Sequence, residues 1–311
     1  MLVAVAYKKE AVNMRFLRRL GLFVSRAVIF SLGCAFFAAP AHSADLDVIE
    51  TGQFVREAPP QKDSIRIICW NIERGYRLEE IIRLFKTKLQ ADVYILQEVD
   101  RGAKRTEYRN VAREIAEALE MNYAFAIEFE ELKQGRGGEP AYHGQAILSR
   151  YPINPRLLRF KHQPHDWSRD PFQRRNGGRQ ALFAEIAVGE NRVLIANTHL
   201  ESRADDKNQA RQAEEIVDYY RANYEVGGPV IVAGDLNTGS GFLPLRTTEV
   251  FYRAGFRDAF AGLFGEKRTS GNNRHDWVFS VGLAPLAAKV WRKFHFSDHD
   301  PLDVTLVFPH E

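Results

Sequence analysis

A ten-residue stretch late in the chain, P-V-I-V-A-G-D-L-N-T from Pro229 to Thr238, sets the tightest limit on the fold. Val230 to Ala233 is a short apolar run bounded by Gly227-Gly228-Pro229 and Gly234, the pattern of a strand buried on both faces. Asp235 and Asn237 follow at its C-terminal end. Two residues apart in extended chain, their side chains point the same way, roughly 7 Å apart. Taken alone, Gly-Asp-x-Asn is also good turn composition, with Asx side chains closing onto their own backbone. Other apolar runs in this chain end the same way, in polar residues able to do chemistry.

The 311 residues, 45% of them hydrophobic, suffice for one large domain or two small ones. No period of 20 to 50 residues recurs, which excludes repeat folds. The formal net charge of +3 misleads. Residues 1–43 carry six basic residues and one acid, so the rest of the chain stands at −2 and offers no global field for a polyanion. That N-terminal piece reads as an export signal: Arg15, Arg18 and Arg19 precede an apolar run from Ala27 to Ala39, and Ala41-His42-Ser43 fits a cleavage site. Met14 is an alternative start. The run is short for a transmembrane span, so an exported protein, periplasmic or secreted, is expected, with a retained membrane anchor as the alternative. Only Cys69 survives cleavage, leaving no internal disulfide.

Residues 44–63, with Pro59-Pro60, read as a linker. Ile65 to Trp70 is a first strand ending in Asn71-Ile72-Glu73-Arg74-Gly75. Leu78, Ile81, Ile82, Phe85 and Leu89 share one helical face. Val93 to Leu96 is a second buried strand closed by Gln97-Glu98. A helix marked by Val111, Ile115 and Leu119, a strand from Tyr123 to Phe129, a glycine-rich loop and a strand from Gly144 to Leu148 follow. Arg156 to Arg179 is the one basic region, read as a loop between strands, with Trp167 and Phe172 interleaved. Ala181–Val188 and Arg192–Asn197 form a hairpin ending in Thr198-His199-Leu200-Glu201-Ser202. Ser202 with Asp205 reads as a capping box for the next helix. After the central strand and a helix around Leu243 to Arg253 come strands at His275–Phe279 and Leu302–Phe308, the last entered through Ser297-Asp298-His299. Buried strands alternating with helices, plus a hairpin, predict one α/β domain of two packed mixed sheets over residues 64–308.

The strand ends collect Asn71, Glu98, His199, Asp235 with Asn237, Asp276, and Asp298 with His299. Each alone has an ordinary explanation as a cap, a surface residue or an ion-pair partner of an arginine. Together they fit hydrolysis of a phosphoester. Hard oxygen ligands without a Cys/His cluster suit Mg2+ or Mn2+, and a histidine beside a carboxylate can stabilise phosphate or exchange a proton. Neither a Walker-type phosphate loop nor a G-x-S-x-G elbow is present.

Seven stretches, I-I-C-W-N-I-E-R-G, I-L-Q-E-V-D, G-Q-A-I-L-S-R-Y-P-I, N-T-H-L-E-S, V-A-G-D-L-N-T, H-D-W-V-F and S-D-H-D-P-L, resemble in order those of the endonuclease/exonuclease/phosphatase superfamily. The resemblance spans about residues 64–308. It implies a four-layer αββα sandwich and a divalent-metal site in which Glu98 is the principal ligand, with Asn71 beside it and Asp298 a further ligand or positioning group. It also implies that Asp235 orients or deprotonates the attacking water, Asn237 holds a phosphate oxygen, and Asp276 pairs with a phosphate-contacting His299. His199 is similar to the leaving-group histidine of the deoxyribonuclease and sphingomyelinase branches; abasic-site endonucleases usually carry tyrosine there. Gln145 replaces a frequent asparagine, and the carboxylate partner of His199 has no clear match, with Glu128 and Glu130 as candidates. The expected activity is an exported phosphodiesterase acting on nucleic acid or a phospholipid headgroup, with Arg174, Arg175 and Arg179 gripping substrate. A sphingomyelinase-like or inositol-phosphatase-like hydrolase and an inactive secreted binding module are the alternatives. A monomer without an obligate protein partner is expected.

Overall fold

The computed structural model describes residues 45–309, apart from 58, 61, 225–227, 240–244, 263–266 and 293. The expected export signal lies outside the described residues. Along the chain come β1 (Ile49–Gly52), β2 (Ser64–Arg74), α1 (Leu78–Thr87), β3 (Val93–Arg101), α2 (Val111–Leu119), β4 (Asn122–Glu131), β5 (Tyr142–Ser149) and β6 (Ile153–Arg159). They are followed by β7 (Arg175–Gly177), β8 (Gln180–Val188), β9 (Asn191–His199), α3 (Asp206–Asn223) and β10 (Val230–Asp235). The last elements are α4 (Arg246–Arg253), β11 (Arg257–Asp258), β12 (Asp276–Val281), β13 (Ala284–Val290) and β14 (Leu302–Val307).

Two mixed sheets form. One has the order β1-β4-β5-β3-β2-β14-β13 with β7 beside β4, the other β11-β12-β10-β9-β8-β6. Strand alternation assigns the layers. In β2, Ile65, Ile67 and Cys69 point to the core shared with Leu182, Ile195, Ile231 and Val278 of the second sheet. Ile68, Trp70 and Ile72 point the other way, onto Ile81 and Phe85 of α1 and Ile115 of α2. The outer face of the second sheet, through Phe183, Val232 and Phe279, is covered by Ala213, Ile216 and Val217 of α3 and Phe251 of α4. The result is the four-layer αββα sandwich.

Three local expectations are corrected. Residues 44–63 are not simply a linker, because β1 pairs antiparallel with β4. Glu50 holds that edge strand by accepting from Tyr123 Oη at 2.5 Å and Asn110 Nδ2 at 2.7 Å and by pairing with Arg101. Helix α3 is capped by Asp205, which accepts from the Asn208 amide, and not by Ser202. The basic region from Arg156 to Arg179 is not one loop: β6 pairs with β8, β7 pairs with β4, and a 3-10 turn spans Trp167–Arg169. Arg156 is exposed on the edge strand β6, where outward charge keeps a sheet from pairing with other chains, whereas Arg159 turns to Asp47 and the Leu46 and Ile127 carbonyls.

Candidate active site

The site lies where both sheets present strand ends. In the second sheet, Asp235 stands in register with His199 on its parallel neighbour and with Asp276 on its antiparallel neighbour. Gly234 makes that closeness possible. A Cβ there would lie 1.8 Å from the Thr198 carbonyl oxygen, and the residue has φ +150°, so a larger side chain would force β10 away from β9. Beyond it Asn237 takes φ 51°, and its amide donates to Asp235 Oδ1 at 2.8 Å.

In the first sheet, β2 and β3 run on past the expected ends, but irregularly. The β2–β3 register shifts between Asn71 and Arg74, and the β3–β5 register between Leu96 and Val99. Glu98 sits in that interruption at φ 50°, a left-handed conformation uncommon for a glutamate and the mark of a bulge that re-aims a side chain. The preceding residue, Gln97, points inward and donates to Asn197 Oδ1 at 2.7 Å. Asn197 Nδ2 in turn donates to Leu96 O and Ala146 O, both at 2.9 Å. This buried amide bridge couples the sheets beneath the site, and sequence reasoning missed it.

Asn71 joins the two halves above it. Its Nδ2 donates to Asp235 Oδ2 at 3.1 Å and lies 3.4 Å from Glu98 Oε1. Asp235 Oδ2 also lies 3.5 Å from His199 Nε2 and 3.7 Å from His299 Nε2. The other ring nitrogen of His299, Nδ1, is 2.7 Å from Asp276 Oδ2. Trp70 Nε1 donates to the His299 carbonyl at 2.8 Å, and Ser297 Oγ, which accepts from the His299 amide, donates to Asn71 O at 2.7 Å. Trp70 and Ser297 flank the motif residues in sequence; only their partners across the fold reveal their positioning role.

The two histidines are tuned in opposite directions. Burial disfavours charge on His299, but Asp276 and then Asp235 outweigh it and hold the imidazole well above its ordinary pKa, as an imidazolium. His199 is pushed well below its ordinary value, first by burial and then by Arg179, and is neutral. For Glu98 burial opposes ionisation, yet Arg74, whose Nη1 is 3.2 Å from Glu98 Oε2, leads the cations that lower its pKa. Arg74 stands inside the I-I-C-W-N-I-E-R-G stretch, so its motif position was the available signal.

The other expected residues stand around this cluster. Asp298 is exposed at the rim, where its charge, after burial, raises Glu73. Neither candidate partner of His199 reaches it: Glu128 is 3.2 Å from Arg179 Nη1, and Glu130 accepts from Asn176. The acid facing His199 is Asp235, and His199 Nδ1 has no hydrogen-bond partner among the described residues. Gln145 donates to the Gln180 carbonyl at 3.2 Å. The three substrate arginines divide. Arg174 is exposed, whereas Arg175 and Arg179 are buried, the first against the faces of Phe129 and Trp167 and the second against Glu128.

The family model of the endonuclease/exonuclease/phosphatase family matches residues 68–299. The chain belongs to the endonuclease/exonuclease/phosphatase family. Members of the family are phosphoester hydrolases that generally use a divalent metal. No curated protein matches the sequence. Among solved structures, the endonuclease/exonuclease/phosphatase of Beutenbergia cavernae shares 18% identity over 79% of this chain and 72% of its own, with TM-score 0.59. The Bacteroides vulgatus protein shares 15% over 80% and 100%, with TM-score 0.61. The catalytic domain of human Nocturnin, solved with a sulfate anion, shares 17% over 84% and 98%, with TM-score 0.62. These likenesses show the shared fold.

The donor set fits the metal that the family generally uses. Buried Glu98 Oε2 accepts no hydrogen bond and faces Arg74, and a hard carboxylate oxygen suits Mg2+ or Mn2+, whereas Asn71 turns its Nδ2 toward Glu98 and its Oδ1 accepts from the Glu73 amide at 3.1 Å. A second grouping, Asp235, Asp276 and His299, brings its donor atoms within 4.8 Å of one another. It fits less well, because His299 Nδ1 and Asp276 Oδ2 are already engaged with each other at 2.7 Å.

Proposed function

We propose that the chain is an exported, divalent-metal-dependent phosphodiesterase. The observation that carries this reading is the convergence on Asp235 Oδ2 of Asn71 at 3.1 Å, His199 at 3.5 Å and His299 at 3.7 Å. A carboxylate so placed accepts a proton from an attacking water and aims it at phosphorus. The imidazolium of His299, held by Asp276, donates toward a phosphate oxygen as negative charge builds there, a preorganised electrostatic contribution. Asn237 Nδ2 already donates to Leu200 O at 2.8 Å, which leaves its second hydrogen for a phosphate oxygen. Neutral His199, whose Nε2 meets the same Asp235 oxygen, is the hydrogen-bonding group for the leaving oxygen. Glu98 would hold Mg2+ or Mn2+, with Asn71 a second ligand once its amide turns its oxygen to the ion, and the metal supplies positive charge against the phosphate when bound.

The test is hydrolysis of bis-p-nitrophenyl phosphate by the purified chain lacking residues 1–43. Turnover should require Mg2+ or Mn2+, stop on chelation, and fall by orders of magnitude in Asp235→Asn. Metal-independent turnover, or none in the wild type under any divalent ion, would overturn the proposal. Export rests on the basic and apolar run before Ser43. N-terminal sequencing of the exported protein should read from Ala44, and a mature chain that retains Met14 would refute cleavage.

A further inference from the structure

A groove of about 510 Å3 opens beside the site and reaches it through Arg74, the partner of Glu98. Its far wall is the turn after the 3-10 segment, where Phe172 is 88% exposed. That exposure is held in place. Asp170, itself buried, accepts from the amides of Phe172 at 2.9 Å and Gln173 at 2.8 Å, while its other oxygen lies 3.1 Å from His165 Nε2. The pinned turn holds out one flat aromatic face on which another ring could stack. Tyr76, 44% exposed, also lines the groove.

The charges along the groove are unequal. Glu131 is buried and already accepts from Arg105 and Gln173, and Glu73 is the carboxylate at the end of the groove beside the site. Arg203 lies 3.7 Å from Asp170. Arg174 donates to the Ser168 carbonyl, and neither it nor Lys133 has a carboxylate partner among the described residues. Two unneutralised cations and two exposed aromatics therefore share one groove that ends at the reactive centre.

Resting on the phosphodiesterase reading, we propose that this groove is a subsite for single-stranded nucleic acid. It holds one or two nucleotides flanking the scissile phosphate, with a base stacked on Phe172 and backbone phosphates on Arg174 and Lys133. Stacking on an aromatic is independent of sequence because every base has a flat face, and it combines naturally with a short cationic track. A membrane-binding surface needs a contiguous apolar area, whereas this lining is mainly ionic and amide groups with two separated rings. A long duplex would need more phosphate contacts than two free cations supply.

Binding of a fluorescein-labelled octathymidylate, followed by anisotropy with EDTA present, reads the subsite without chemistry. Phe172→Ala should weaken binding about tenfold, and Lys133→Ala with Arg174→Ala should weaken it further and flatten its salt dependence. All three positions are at the surface, and unchanged melting temperatures confirm folding. Wild-type affinity in both variants would refute the subsite, as would phosphatidylserine-vesicle binding lost in Phe172→Ala while oligonucleotide affinity stays unchanged. Absence of bis-p-nitrophenyl phosphate turnover in the wild type would sink the phosphodiesterase reading, and with it the placing of these nucleotides beside a scissile bond. Oligonucleotide binding that depends on Phe172 would still separate that failure from failure of the groove.

Discussion

Asp276→Asn keeps the shape of a fully buried side chain and removes its charge. At the 2.7 Å separation from His299 Nδ1, the gross attraction is about 6 kcal/mol at an effective dielectric of about 20. Much of that is offset by keeping an imidazolium out of water. The net loss for one charge-assisted hydrogen bond is about 1.5–3 kcal/mol, which corresponds to about 10- to 150-fold in kcat/KM. In the variant, burial of His299 is opposed by fewer charges, chiefly Asp235, so its pKa falls below that of the wild type. The activity deficit should therefore be largest on the alkaline side and shrink as acid restores the imidazolium. Stability runs the other way. A histidine whose folded pKa is raised contributes stability that is fully present below its free value of about 6.5 and is lost as pH rises through the raised value. The stability deficit of the variant should thus be largest below about pH 6.5. Rate profiles with bis-p-nitrophenyl phosphate, guanidinium unfolding at matched pH, and NMR titration of the imidazole check all three statements. An unchanged His299 titration, or activity and stability deficits that grow together toward acid, would refute the reasoning.

Two further outcomes follow from the same geometry. Glu98→Gln removes the anion facing Arg74 at nearly constant volume; it should weaken Mg2+ binding by calorimetry and lower turnover by orders of magnitude, and normal turnover at low metal would reject Glu98 as the ligand. Asn197→Ala deletes three buried hydrogen bonds at 2.7, 2.9 and 2.9 Å and leaves Gln97 Nε2 only its longer contacts to Ile95 O and Cys69 Sγ. It should cost about 3 kcal/mol by urea unfolding, and a loss below about 1 kcal/mol would show that the bridge does not couple the sheets.

The sequence by itself determined the architecture and brought forward Asn71, Glu98, His199, Asp235, Asp276 and His299, which the fold gathers at the strand ends. Apolar runs such as Ile67 to Trp70, buried on both faces, and helical faces such as Leu78 to Leu89 mark which surfaces each element buries, and that is a local property. The polar residues closing those runs follow the same logic, since a strand that is apolar to its end must present its chemistry just beyond it. What the sequence left open depends on which distant segments meet. Nothing near Glu98 announces that β3 continues to Arg101 through a bulge, because the bulge exists only in the pairing of β3 with β2 and β5. His199 faces Asp235, and not Glu128 or Glu130, because parallel pairing of β9 with β10 sets that register and Arg179 claims Glu128. Likewise Arg174, Arg175 and Arg179 look alike in one basic stretch, yet β7 pairing with β4 carries Arg175 inward and Arg179 is buried against Glu128, while Arg174 stays at the surface. Burial and partner choice are decided by packing between elements far apart in the chain, so they become visible only in the folded structure.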